Sequence, residues 1–169
     1  KKVFNFFDNI VFISKKEFSN IKYITEKNKI LDVQNSFIAE KNVFKHNKSN
    51  FKIFFVGNIN YLPNKIACYN FAKKTLPKIN KKHKNIEFHI VGKINRFDRF
   101  LLQKPHVVVH GPIKKLDNVF KKTICGLCNL DVATGLQNKI FTYMSYGIPA
   151  VISQKSHPGS LVKQNRELL

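Results

Sequence analysis

A chain of 169 residues is long enough for one domain, or for one domain and a fragment of another. Its residues are 43% hydrophobic and include sixteen Phe, which is enough to fill a core and argues against a disordered chain. No apolar run approaches the ~20 residues of a membrane span and no signal peptide is visible, while three cysteines in apolar contexts favour a reduced cytoplasmic protein. The net charge of +20 fits nucleic acid or an anionic membrane surface, but Arg, which contacts phosphates and bases best, is scarce, so nucleic acid is not the partner that we expect.

The first fifty residues contain short elements rather than a complete domain. Residues 9–13 and 29–33 are apolar runs typical of strands, and Ser14 with Glu17 forms a capping box that predicts a helix to about Tyr23. Residues 41–50 are polar and charged, which favours a linker.

Strands and helices alternate through the rest of the chain. The run 51–57 is nearly continuous in hydrophobicity and predicts a buried parallel strand. A helix is predicted over 64–81, which Pro77 is expected to kink or interrupt. The other strands are predicted at 86–91, 106–110, 123–130 and 150–152, and the other helices at 97–102, 113–121, 138–146 and from Ser160 onwards. This alternation predicts an α/β fold with a doubly wound parallel sheet.

Glycines, amides and lysines collect where the predicted strands end. Ligands of such sheets bind beyond the carboxyl ends of the strands, an edge that here holds residues 57–60, 92–93, 111–113 and 135–139. Asn138 is predicted to cap the helix that stops at Gly147, so its free amides and Lys139 form an anion site. No G-x-G-x-x-G dinucleotide fingerprint occurs. A nucleoside diphosphate fits the glycines, amides and lysines that this edge collects.

Three pairs of reactive side chains suggest acid–base, metal or redox chemistry. The pairs are Glu87 with His89, His106 with His110, and Cys125 with Cys128. None has the further groups that such a site needs, so we interpret the Glu87–His89 pair as surface-facing or satisfied and the thiols as small hydrophobes. We therefore predict no metal site.

Two blocks of the sequence resemble the donor domain of group-4-type glycosyltransferases with the GT-B fold. The block GLQNKIFTYMSYGIPAV, residues 135–151, is similar to the donor-site segment, and FFVGNINYLPN, residues 54–64, is similar to the opening strand and loop. Between them, Ile90-Val91-Gly92 and Val109-His110-Gly111 fall in the expected order. The resemblance covers roughly residues 10–153.

The resemblance implies a Rossmann-like donor domain, the C-terminal half of a GT-B fold, over residues 51–169 and truncated at its C-terminal end. Residues 1–40 resemble the tail of the acceptor-side domain, and the body of that domain is needed for activity, so the chain alone is expected to be inert. The implied reaction is a retaining transfer from a nucleotide-diphosphate sugar, with no cofactor, in cell-surface polysaccharide or glycolipid synthesis. Lipid-linked acceptors would place the enzyme in the cytoplasm, with possible peripheral contact at the inner membrane surface.

The resemblance also implies site residues. Those expected at the donor phosphates are Gly57, Asn58, Gly135, Leu136, Gln137, Asn138 and Lys139, and those expected at the base are Gly111, Pro112 and Ile113. Thr134 and Thr142 occupy the positions of two family glutamates that contact the donor's sugar and ribose. No catalytic residue is assigned.

The chain departs from the family pattern mainly in charge. Threonine keeps a hydroxyl but loses the charge and reach of glutamate, and Asn58 and Pro63 stand where a basic pair is usual. Lys139 and Lys93 are candidates to replace that charge. Two alternatives follow: a glycosyltransferase-like domain that binds a nucleotide or partner without turnover, and a basic nucleic-acid-binding module.

Overall fold

The computed structural model describes residues 6–12, 30–33, 49, 51–133 and 136–157. The chain divides into two compact units, Lys1–Phe37 with Thr134–Leu136, and Ile38–Ala133 with Gln137–Leu169. The helices predicted from Ser14 and from Ser160, and most of the predicted linker 41–50, lie outside the described residues.

The described part of the first unit contains two short parallel strands. β1 (Ile10–Phe12) pairs with β2 (Ile30–Asp32) in the register Ile10 to Ile30. The Val33 N–H donates to the Phe12 carbonyl at 2.9 Å and extends the ladder. Both strand predictions in this region are confirmed, and the assignment of residues 1–40 to an acceptor-side domain stays a prediction.

The second unit is built on a five-stranded parallel sheet in the order β5-β4-β3-β6-β7. Its strands are β3 (Lys52–Val56), β4 (Glu87–Val91), β5 (Val107–Gly111), β6 (Thr123–Cys128) and β7 (Ala150–Ile152). The central strand β3 buries Phe54 and Phe55 completely, as its continuous apolar sequence predicts for a strand covered on both faces. The Rossmann-like α/β prediction is confirmed.

The helical connection between β3 and β4 runs unbroken past its second proline. It consists of α1 (Leu62–Asn70), a π-helical segment (Phe71–Thr75) and α2 (Leu76–Lys82), and it begins two residues before the predicted start. Pro63 and Pro77 lie in the first turns of α1 and α2, where a missing N–H costs little. The run changes to π-helical geometry just before Pro77 but does not stop there, so the predicted helix continues to Lys82.

Two shorter helices complete the second unit. α3 (Arg96–Leu102) is capped by Asn95, whose side-chain oxygen accepts from the Asp98 N–H at 2.7 Å. α4 (Asn138–Ser145) begins at Asn138, so the cap position is Gln137 and not Asn138 as predicted. After β7, a short 3-10 turn spans Gln154–Ser156.

The helix predicted over 113–121 is wrong. The segment forms turns instead, and the Leu116 carbonyl accepts from both Val119 N–H and Phe120 N–H, at 3.0 and 2.9 Å. Phe120 is fully buried, with its ring edge-on to Phe54 and Tyr146. A helix this short is marginal by itself, so one buried aromatic anchor satisfies the apolar pattern without a helix.

A tyrosine on α4 fixes that helix to the sheet. The buried Tyr143 hydroxyl accepts from the Val56 N–H at 2.9 Å and donates to the Leu127 carbonyl at 3.1 Å. Its ring lies on Gly126, where a Cβ atom would be only 2.4 Å from the ring carbons. Gly126 is therefore required by close packing and not by its backbone conformation.

We expect Gly126→Ala to destabilise the chain by about 1–3 kcal/mol, because the added methyl group must displace the Tyr143 ring or shift β6. Urea unfolding measures the free energy of unfolding, with Thr75→Ala at an exposed position as the control. Unchanged or increased stability of Gly126→Ala would contradict this packing, since Gly→Ala stabilises where space and backbone permit.

Candidate functional site

Asparagine side chains stabilise the loop after β3 through hydrogen bonds. Asn64, which is buried near the start of α1, donates from Nδ2 to the Asn58 carbonyl at 2.9 Å. The Asn58 side-chain oxygen accepts from the Asn60 N–H at 3.1 Å. The predicted phosphate residues Gly57 and Asn58 thus lie in a loop whose shape is fixed by its neighbours.

Lys139, from the start of α4, reaches this loop. Its Nζ donates to Asn64 Oδ1 at 2.8 Å and lies 4.7 Å from the centre of the Phe55 ring. A Cβ atom on Gly57 would be 3.4 Å from Lys139 Cε, so the lysine stem packs along the end of β3. Three predicted phosphate-site residues, Gly57, Asn58 and Lys139, therefore meet through Asn64.

Lys139 is half-buried, and among the described residues no carboxylate pairs with it. Burial lowers the pKa of its ammonium group, while the nearby Cys128 and Cys68 act in the opposite direction. Removing a cation from water without a counter-ion is costly, so an anion at this point would restore the balance. The N-terminus of α4, which carries partial positive charge, adds to the attraction.

The other residues predicted in the α4 segment are less fully placed. Thr134 and Gly135 lie outside the described residues. Leu136 and Gln137 are half-buried, and Asn138 is the exposed first residue of α4. The Thr142 hydroxyl donates to the Asn138 carbonyl at 3.2 Å, within the helix. The phosphate, sugar and ribose roles of these residues stay predictions.

Three glycines bring neighbouring strand ends into contact. The Gly92 N–H donates to the Gly111 carbonyl at 2.8 Å, and the Gly57 N–H donates to the Val91 carbonyl at 2.9 Å. A Cβ on Gly92, which has φ +143°, would lie 1.8 Å from the Gly57 carbonyl oxygen. The predicted phosphate loop and the start of the predicted base loop (Gly111, Pro112 and Ile113) are therefore adjacent, as the parallel sheet requires.

Arg99 on α3 supports the base loop and was missed in the sequence. Its Nη1 donates to the Val109 carbonyl at 2.8 Å, and its Nη2 lies 2.9 Å from the place of a Cβ on Gly111. At the start of α3, the N–H of its cap residue Asn95 donates to Asn60 Oδ1 in the loop after β3, at 3.0 Å. α3 thus joins the loops after β3 and β5.

Asn64 and Arg99 each left a weak signal in the sequence. Asn64 follows a proline at a predicted helix start, where its short amide can reach the preceding loop. Arg99 is one of very few arginines in a lysine-rich chain, and its planar guanidinium can bind a backbone carbonyl more rigidly than lysine.

The Glu87–His89 pair is satisfied within the sheet. His89 Nε2 lies 2.8 Å from Glu87 Oε2, and His89 Nδ1 lies 2.8 Å from His110 Nε2. Burial lowers the pKa of both histidines, and Lys52 acts in the same direction. No group of three or more possible metal ligands occurs in the described part of the chain.

The C-x-x-C cysteines are core residues, as interpreted. Cys125 and Cys128 are buried and free, and burial raises the pKa of Cys125 to about 11. Neutral thiols of this kind are poor nucleophiles and behave as small hydrophobic side chains.

Comparison with known proteins places this site in context. The model of the family "Glycosyl transferases group 1" matches residues 50–169. No match was found among curated protein sequences.

Three solved structures illustrate the similarity in fold. A mutant of S. aureus TarM, in complex with Fondaparinux, alpha-GlcNAc-glycerol and UDP, is 13% identical, with a TM-score of 0.76 over 97% of this chain and 34% of that one. The lipopolysaccharide outer core galactosyltransferase WaaB, in its apo form, is 19% identical, with a TM-score of 0.64 over 92% and 46%. Anabaena HepE in complex with UDP and glucose is 12% identical, with a TM-score of 0.66 over 92% and 47%. This chain spans a third to a half of each.

We expect Arg99→Gln to loosen the base loop, because the loop loses a charged donor to the Val109 carbonyl. Hydrogen exchange of the Gly92 amide, which is bonded to Gly111, should become roughly tenfold faster. The control is Arg96→Gln, which removes an exposed arginine from the same helix. Equal exchange rates in the two variants would show that Arg99 does not support this loop.

Proposed function

The chain belongs to the Glycosyl transferases group 1 family, and we propose that its residues 51–169 form the donor-binding part of a retaining glycosyltransferase that uses a nucleotide-diphosphate sugar. The site formed by Gly57, Asn58, Asn64 and Lys139 carries this proposal, because it combines a half-buried cation with a helix N-terminus. A diphosphate supplies the negative charge that this arrangement lacks.

The proposed ligand extends from Lys139 towards β5. The phosphates would lie between the Gly57–Asn58 loop and the first turn of α4, and the base would lie at Gly111, Pro112 and Ile113. These two places are linked through Gly92 and through α3, so one nucleotide could span them. The structures of TarM and HepE named above contain UDP, which makes uridine the first base to test.

In the proposed reaction, the bond between the anomeric carbon and the donor phosphate oxygen breaks, and the nucleoside diphosphate leaves with the electron pair. An acceptor hydroxyl bonds to the same carbon with retained configuration, and its proton passes to the departing phosphate oxygen. Lys139 and the amides of α4 would stabilise the charge that develops on the leaving group. We assign no protein nucleophile and no general base.

The acceptor-side domain would complete the active site. We propose that residues 1–40 are the tail of that domain and that 51–169 is inert without its body, since the chain spans only a third to a half of the related structures. For the whole enzyme we propose a cytoplasmic location and a role in cell-surface polysaccharide or glycolipid synthesis. None of the helices in the described residues is long and apolar enough to cross a membrane.

A second candidate function is nucleotide binding without transfer. It is favoured by Thr142, which stands where a family glutamate is expected to contact the ribose and whose hydroxyl bonds to the Asn138 carbonyl within α4. Such a domain would keep the phosphate site of Lys139 but would bind the ribose and sugar weakly.

We expect UDP or another nucleoside diphosphate to shift the amide NMR signals of this chain at three places: Gly57 to Asn60, Gly111 with Ile113, and Gln137 to Lys139. The titration would be made at near-physiological salt with UDP, GDP, their sugar conjugates and a short RNA. Absence of any nucleotide response, with salt-sensitive RNA shifts spread over the lysines, would refute donor binding and favour the nucleic-acid module.

We expect Lys139→Met to weaken the binding of UDP and of inorganic pyrophosphate by roughly 10–100-fold, because a charge-assisted contact to phosphate is lost. Calorimetric titration measures the affinities. The variant should still fold, with a loss of stability of about 1 kcal/mol, because the methionine packs on Phe55 without needing a counter-ion but the buried Asn64 Oδ1 loses its donor.

The matched control is Lys121→Met, which removes an exposed cation outside the site. If both variants lose affinity equally, Lys139 has no special role and the attraction comes from the overall charge of the chain.

A further inference from the structure

A groove with apolar walls lies between the α1–α2 helical run and α3, at the end of the sheet opposite the candidate donor site. We call it the basic groove; its volume is about 540 Å³. Its walls include Tyr69, Leu76 and Pro77 on one side and Leu101 and Leu102 on the other. Lys73, Lys104 and His106 complete the lining with positive or ionisable groups.

Exposed apolar side chains also lie on the helices that form the groove. On α3, Phe97 and Phe100 are 69% and 71% exposed, and Phe97 stands four residues before Leu101, on the same helical face. On α1, Leu62 and Ile66 are 60% and 41% exposed. The Lys65–Asp98 ion pair, at 2.7 Å, holds the two helices together. Exposed apolar residues that cluster in this way mark interaction surfaces more often than scattered ones do.

The surroundings of the groove are strongly basic. Between residues 62 and 106, Lys and Arg outnumber Asp and Glu eleven to two. Both acidic residues are engaged: Asp98 is buried and paired with Lys65, and Glu87 contacts His89. The exposed lysines around the groove, such as Lys73, Lys74 and Lys78, therefore have no acidic neighbour within this stretch to neutralise them.

We propose that the basic groove and the adjoining Phe97, Phe100, Leu62 and Ile66 form the surface by which this domain docks on an anionic phospholipid bilayer. The expectation of a membrane contact from the sequence named no surface, and the present proposal does not depend on donor binding. A bilayer offers acyl chains for the phenylalanines and, just above them, anionic headgroups for the lysines. A second copy of the chain is a poor occupant, because it would place one basic surface against another.

The test is sedimentation of the chain with vesicles made of equal parts of phosphatidylglycerol and phosphatidylcholine, compared with vesicles of phosphatidylcholine alone. We expect binding to the anionic vesicles, with little binding to the neutral ones and with progressive release as salt is added. Phe97→Ser with Phe100→Ser should weaken binding at least tenfold, and Lys73→Gln with Lys104→Gln should weaken it and reduce its salt dependence.

Two matched controls remove exposed lysine charges and an exposed apolar side chain at positions outside the basic groove. Lys121→Gln with Lys155→Gln removes two exposed charges, and Val132→Ser removes a side chain that is 61% exposed. Circular dichroism and urea unfolding verify that the groove variants fold, since both phenylalanines and both lysines are exposed.

Binding that falls as much in the lysine control as in the Lys73 and Lys104 variant would overturn the proposal in favour of unspecific charge. Equal binding to neutral vesicles, or none to anionic vesicles, would also overturn it. If the chain instead self-associates and the phenylalanine variant prevents this, the surface is an interface between copies. In each of these cases the nucleotide titration still decides donor binding independently.

Discussion

The Tyr143 hydroxyl holds two strands and a helix in one arrangement, because it accepts from β3 at Val56 and donates to β6 at Leu127. The ring can approach so closely only because Gly126 has no side chain beneath it. Lys139 lies one turn earlier on the same helix, on the same face as Tyr143. The packing of Tyr143 therefore determines the position of α4, and with it the place that the Lys139 ammonium group can reach. Asn64 Oδ1 accepts a hydrogen bond from that group.

The rest of the site depends on how closely backbone segments approach one another. Gly92 lies against the Gly57 carbonyl and bonds to the Gly111 carbonyl, so a side chain on Gly92 would separate the loops after β3 and β5. The loops at this edge are therefore positioned largely by backbone contacts rather than by side chains. Because these contacts are made by backbone atoms, few side chains of this region form a motif that the sequence could show.

The sequence predicted the sheet well because buried parallel strands need continuous apolar runs such as 51–57. It also placed glycine-containing loops at the carboxyl ends of β3, β4 and β5, where the structure has them, and the ligand of these loops stays a prediction. It failed at 113–121, where the helical spacing of Leu116 and Phe120 was satisfied by a turn anchored in the core. Asn64 and Arg99 could not be assigned because their partners, Lys139 and Val109, are identified by tertiary contacts alone.

α3 serves both the candidate donor site and the basic groove, although it has only seven residues. Its Asn95 cap and Arg99 bond to the loops after β3 and β5, while Phe97 and Leu101 face outward and into the groove. The buried Asp98 on α3 forms an ion pair with Lys65 on α1 and so holds the two helices together. The same seven residues therefore contribute both to the support of Gly111, through Arg99, and to a wall of the basic groove, through Leu101 and Leu102.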